Sequence, residues 1–188
     1  MVDLTNAKIL LTSAGLETKA ICDTFLDFVG KPPMETRALF IPTAANDTDA
    51  IAVLPGCMND LLKQGIPAKN IKVFDLHRSL TIQELSAFDA VYFTGGSPQY
   101  LLERINETGF YASLNEFVSK GGVYVGVSAG SWVAAGNLPN NLGYLKASLN
   151  VHTETGTSVG IFDNDVITEI DLTDKNAVLI RNGIYEVI

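Results

Sequence analysis

The residues with the clearest capacity for chemistry are Gly126-Val127-Ser128-Ala129-Gly130. A serine between two small-residue positions, where a short apolar run passes into a helical stretch, is the setting of a nucleophile elbow. The turn is tight, so small residues are needed on both sides. It lifts the Ser128 hydroxyl above the sheet edge and aims it at a helix N-terminus, whose free N–H groups can stabilise an oxyanion. The bland alternative is a Gly/Ser turn without chemistry.

A serine hydroxyl is a weak nucleophile and needs a base. The chain has two histidines, His77 and His152. Each follows an apolar run, so each could reach the carboxyl edge of a parallel sheet, where ligands bind. The stretch from Ser128 to His152 suits one helix and one returning strand, which favours His152. A second turn, Thr94-Gly95-Gly96-Ser97, also joins a strand pattern to a helix pattern. One of its N–H groups could pair with that of Ala129 as an oxyanion hole. No phosphate-loop or dinucleotide-binding pattern is present. No metal-ligand spacing is present either, so neither metal nor cofactor is expected. Cys57 and Trp132 read as core residues.

The elements that must position these groups alternate along the chain. Apolar runs at 8–12, 37–41, 71–75, 90–93 and 122–126 read as buried strands. Helices are expected over 16–29, 49–64, 98–105, 110–119 and 129–135, with a short one opened by the capping-box spacing Thr81-Ile82-Gln83-Glu84. Pro55-Gly56 interrupts the second helix. Such alternation predicts a mostly parallel sheet covered on both faces, a three-layer α/β/α sandwich. Strands are expected at 145–151, 166–170, 177–181 and 184–187, and Asn182-Gly183 marks a terminal β-hairpin.

At 188 residues and 20.2 kDa the chain reads as one domain, residues 1–188. With 47% hydrophobic and 18% charged residues it is too apolar to be disordered. A net charge of −8 argues against a nucleic-acid partner. No run suits a membrane span, and Met1-Val2-Asp3-Leu4 lacks the pattern of a secretory leader. Two cysteines make no disulfide framework. A cytoplasmic protein is expected.

Several fragments then carry a family resemblance: Phe40-Ile41-Pro42-Thr43-Ala44, Phe93-Thr94-Gly95-Gly96 followed by Tyr100-Leu101-Leu102, and Gly126-Val127-Ser128-Ala129-Gly130-Ser131. Leu142-Gly143 and Val151-His152 follow in order. The chain resembles the peptidase E family of serine peptidases, which includes alpha-aspartyl dipeptidases and, more distantly, cyanophycinases. The resemblance implies a flavodoxin-like sandwich related to class I glutamine amidotransferases. It implies Ser128 as nucleophile, His152 as general base, and the Gly96 and Ala129 amides as oxyanion hole. Gly95 and Ser97 would lie against substrate. The implied reaction is cofactor-free hydrolysis of short peptides, dipeptides with N-terminal Asp above all.

The chain departs from that family in three places. Ser97-Pro98-Gln99 stands where Asn is common, no acid lies between Ser128 and His152, and the segment after His152 is short. The imidazole must then be oriented by Glu154 or a later acid, by Asn141, or by a backbone carbonyl. A pocket for aspartate would need a cation, for which Arg104, Lys146 and Arg181 are candidates. The missing intermediate acid also motivates a second reading, a weakened or non-catalytic peptide- or small-molecule-binding member of the same fold. A conventional α/β-hydrolase is disfavoured, because little chain follows Ser128 and that fold places its acid and histidine on further βα units.

Overall fold

Neighbouring residues along the inner strands face opposite apolar layers. In Ala38–Ile41 and Ala90–Phe93, Ala38, Phe40, Ala90 and Tyr92 belong to one buried cluster, and Leu39, Ile41, Val91 and Phe93 to the other. A strand buried on both faces must be apolar throughout, which is why these runs do not alternate with polar residues. The computed structural model of the protein describes residues 2–188. Met1, the start of the stretch read above for a leader, lies outside them.

The elements run β1 (Lys8–Thr12), α1 (Lys19–Val29), β2 (Ala38–Ile41), α2 (Thr48–Ala52), α3 (Leu54–Lys63), β3 (Ile71–Val73), α4 (Ile82–Leu85), β4 (Ala90–Phe93), α5 (Pro98–Thr108), α6 (Phe110–Ser119), β5 (Val123–Val127) and α7 (Ala129–Trp132). Then follow β6 (Ser148–Asn150), β7 (Gly160–Phe162), β8 (Glu169–Asp171), β9 (Ala177–Arg181) and β10 (Ile184–Val187). The main sheet has the order β3-β2-β4-β5-β1-β9-β10-β7. Its first five strands are parallel; β9, β10 and β7 join antiparallel to their neighbours. Helices α1 and α3 pack on one face through Ile21, Phe25, Phe28 and Leu61. Helices α4 to α7 cover the other, through residues such as Leu85, Leu101, Leu114 and Ala129. The expected three-layer α/β/α sandwich is therefore present. Among the described residues no helix is long and apolar enough to cross a membrane.

Local chemistry sets the boundaries. The Thr18 hydroxyl caps α1 by accepting from the Ile21 N–H, so that helix starts later than its apolar pattern suggests. The helix expected over 49–64 is two helices meeting at Val53. Pro55 has no N–H to donate back across the junction, and it sits in the first turn of α3, where none is required. The Thr81–Glu84 capping box forms in full. The helix after the elbow is a single turn, shorter than 129–135. Strands β6 and β8 are shorter than their apolar runs and pair in parallel in a separate two-stranded sheet. Strand β7 was not foreseen: Gly160-Ile161-Phe162 is too brief to carry a period. Asn182 and Gly183 have φ of 51° and 76°, the two positive angles of the expected tight hairpin turn.

Candidate active site

Strands β4, β5 and β1 lie side by side, so the segments leaving their carboxyl ends are neighbours. Ser128 leaves β5 with φ 49° and ψ −102°, a backbone conformation that a residue with a Cβ rarely adopts. The surroundings hold it there. The Ser128 N–H donates to Thr12 O at 3.0 Å, and the buried Ser131 hydroxyl donates to Thr12 O at 2.7 Å and Gly126 O at 2.9 Å. A Cβ at Gly126 would come within 2.6 Å of the Gly130 carbonyl carbon, so the elbow closes only with glycine there.

The turn after β4 lies against this elbow. A Cβ on Gly95 would sit 3.4 Å from Ser128 Cβ. Gly96 has φ 133°, and a Cβ there would meet Ala44 O at 2.1 Å. Only glycine allows the turn to lie so close to the segment after β2. Ala129 opens α7, and as a first-turn residue its N–H has no acceptor within the helix. Ser97 does not line the site. Its N–H donates to Ala44 O at 2.8 Å, and its hydroxyl caps α5 by accepting from Tyr100.

His152 follows β6 and lines the same cleft as Ser128, a cavity of about 490 Å³. Its φ is 57°, and its N–H donates to Ser13 Oγ at 2.6 Å. Its ring Nδ1 lies 2.7 Å from Asp174 Oδ1 and 3.2 Å from Ser13 Oγ. The Ser13 hydroxyl in turn donates to Asp174 Oδ1 at 3.0 Å. The hydrogen bond to His152 is the main cause holding the Asp174 carboxyl below its usual range, with Ser13 adding to it. An ionised Asp174 can only accept, so Nδ1 carries a hydrogen, and in the neutral ring Nε2 is the atom left with a lone pair. Neither the Ser128 hydroxyl nor His152 Nε2 has a hydrogen-bond partner among the described residues. The two side chains share the cavity without a hydrogen bond between them, as occurs in sites that tighten only around substrate.

The model of peptidase family S51 matches residues 9–180. The chain belongs to peptidase family S51. Its relatives include an uncharacterized peptidase of Pasteurella multocida (strain Pm70), 26% identical over 119 residues, 63% of this chain and 56% of that protein. An uncharacterized peptidase of Listeria innocua is 27% identical over 99 residues, 53% of this chain and 47% of that protein. The chain thus matches about half the length of these curated relatives. Among solved structures, a peptidase E candidate from Listeria monocytogenes EGD-e superposes with TM-score 0.73 at 19% identity, covering 97% of this chain and 98% of that one. A peptidase from an acI-B1 Actinobacterium gives TM-score 0.67 at 18% identity, covering 100% of this chain and 89% of that one.

Within the S51 chain, the two orienters named from the sequence do not reach the imidazole. Asn141 is spent on its own turn, donating to Leu138 O and accepting from the Gly143 N–H. Glu154 is exposed and makes no hydrogen bond among the described residues. The position falls to a later acid, Asp174, because β6 and β8 run in parallel and deliver His152 and Asp174 to one end. Asp171-Leu172-Thr173-Asp174, just beyond an apolar run, was the available signal. Ser13 gave none, since Ser13-Ala14-Gly15 after the first strand fits no dinucleotide-binding pattern and no other motif. His77 is elsewhere, its ring tilted against Phe74 and bonded to Asp75 O.

The candidate cations are also elsewhere. Arg104 donates to Leu76 O and pairs with Glu107, Lys146 pairs with Asp165, and Arg181 pairs with Asp27 over the Phe28 ring. The Lys or Arg lining the cleft is Lys63, from the last turn of α3. Cys57 and Asp60, earlier on that helix, line it too. Cys57 is half-buried in the cleft wall rather than in the core, and burial pushes its thiol up, away from the nucleophilic thiolate. Among the described residues no group of three His, Cys, Asp or Glu could hold a metal ion.

Proposed function

We propose that the protein is a serine peptidase acting on short peptides, with Ser128, His152 and Asp174 as its catalytic triad. What carries this reading is one arrangement: a strained serine and an imidazole share one cavity, and the far side of that imidazole is held by a carboxylate. In this mechanism Ser128 Oγ attacks the peptide carbonyl carbon as His152 Nε2 takes its proton. The oxyanion is met by the Gly96 and Ala129 N–H groups. Asp174 keeps the ring in its working tautomer and stabilises the imidazolium. His152 gives the proton to the leaving amine as the C–N bond breaks. His152 then takes a proton from a water whose oxygen attacks the acyl-serine carbonyl, and it gives that proton to Ser128 Oγ as the ester C–O bond breaks.

Dipeptides with N-terminal Asp are the first substrates to test, and Lys63 is the cation available to meet that side chain. Turnover of such peptides, and labelling by a fluorophosphonate, should vanish in Ser128→Ala; undiminished turnover by that variant rejects the scheme. The absence of a Ser128–His152 hydrogen bond favours a second reading, a peptide-binding protein without turnover. Unlabelled wild-type protein that still binds peptides would establish it.

A further inference from the structure

We infer that Asp60 receives an ammonium group of the bound peptide, foremost the free α-amino group of its N-terminal residue. Asp60 projects from α3 into the same cleft as Ser128 and His152. Both donors that the fold offers it go to one oxygen: Tyr92 OH lies 2.5 Å and the Leu16 N–H 3.0 Å from Oδ2. Oδ1 has no donor among the described residues. No Lys, Arg or His lies within ion-pair distance of the carboxylate there either.

A carboxylate drawn out of water without a counter-charge is costly to the fold. Burial accordingly raises the Asp60 pKa, and nearby Glu17 adds to this against the opposing influence of Tyr92, Leu16 and Lys63. Nothing in the packing needs a charge here, since a neutral amide could accept the same two hydrogen bonds. The remaining use for the charge is a cation that arrives from outside. A peptide N-terminus fits on three counts: it is cationic, it offers three donors to the unmet oxygen, and a cavity of about 490 Å³ lies within the size range of small-ligand sites. The anchor would fix the chain by its end, so that Ser128 faces one of the first peptide bonds. This catalytic meaning rests on the reading of Ser128 given above; the binding claim does not.

The test therefore reads binding alone. Ser128→Ala protein is titrated calorimetrically with Ala-Ala in which the amide is replaced by a ketomethylene group, so that neither hydrolysis nor hemiketal formation at Ser128 occurs. Acetylating its amino group should weaken binding about 10- to 100-fold, the range expected when a hydrogen bond to a charged group is lost. Adding Asp60→Asn should weaken the free-amine ligand by a similar factor and leave the acetylated one unchanged. An acetylated analogue with a lysine side chain in first position identifies the source. If it regains Asp60-dependent binding, a side-chain ammonium serves as well as the α-amino group. Equal affinity for free and acetylated ligands overturns the proposal, and that comparison needs no change at Asp60. Failure of Ser128→Ala to abolish hydrolysis in the wild-type assay would overturn the mechanism and leave this result standing.

Discussion

Asn150 stands opposite Asp171 in a parallel register, and its side-chain amide donates to the Asp171 carboxylate at 2.8 Å. The pairing continues past both strands, with the Leu172 N–H donating to Asn150 O at 2.8 Å and the Thr153 N–H to Leu172 O at 3.1 Å. This short ladder clamps His152 beside Asp174. The imidazole is therefore oriented by backbone pairing as well as by its own hydrogen bonds.

Asp174→Asn should lower kcat by about 10²- to 10⁴-fold, the upper end being the effect of the corresponding change in a protease with an enclosed triad. The pair here is open to solvent, with side chains 54% and 59% exposed, which screens it and favours the lower end. KM should change little. Steady-state kinetics on a dipeptide series checks this, and an unchanged kcat would remove Asp174 from the mechanism.

Ser13→Ala should lower both stability and turnover. Ser13 is fully buried, and its hydroxyl accepts from the His152 N–H while donating to Asp174. Leaving that N–H unmet costs about 1–3 kcal/mol. Denaturant unfolding measures the first effect. The second should appear in kcat rather than KM, because Ser13 positions the ring without being required to touch substrate.

Ser128→Gly should unfold at a higher temperature than the wild type while losing all turnover. A Cβ in the conformation found at Ser128 stores about 1–3 kcal/mol of backbone strain, which glycine releases. Calorimetry on the pure variant decides it; a lower Tm would mean that the elbow is relaxed.

The two cleft carboxylates respond to acid in opposite ways. Asp174 is held below 3.8, so the stability it contributes is complete above that pH and is lost as the pH falls through its lowered value. Asp60 is raised, so its ionised form burdens the fold at neutral pH and the burden lifts as the pH falls through its raised value. At pH 7 the variant Asp60→Asn should therefore be no less stable than wild type, even as it loses peptide affinity. Thermal unfolding at pH 7 tests the sign, and a clearly lowered Tm would contradict it.

Lys63→Gln should raise KM for Asp-Leu several-fold more than for Ala-Leu. The two substrates differ in a side-chain carboxylate, and Lys63 is the Lys or Arg lining the cleft. Equal changes in KM would assign the aspartate pocket to other groups.

The strand runs and both glycine turns were legible in the sequence because their constraints are local. An inner parallel strand must be apolar on both faces, and an elbow must be flanked by residues small enough to let the backbone close. Ser128 and Ala129 could be named on those grounds, His152 was favoured by its spacing from Ser128, and Gly96 rested on the family resemblance. Asp174 and Ser13 could be named only by knowing which strands pair, since 139 positions separate Ser13 from His152. Asp60 was hidden by its own helix, where a single acid carries no motif and reads as solvent-facing. Its carboxylate is held by Tyr92 and lies where a Cβ on Gly15 would go, and neither residue is near it in the sequence.

Strand β9 enters the main sheet reversed, with Ala177 registered against Thr12. That single change of polarity returns the last quarter of the polypeptide to the rim from which Ser13 departs. In the proposed triad Asp174 can thus follow His152 in chain order, and the stretch from Ser128 to His152 is relieved of supplying a negative charge. A charge on that linker would then be dispensable to the pair, and its sequence would be answerable only to packing against the sheet.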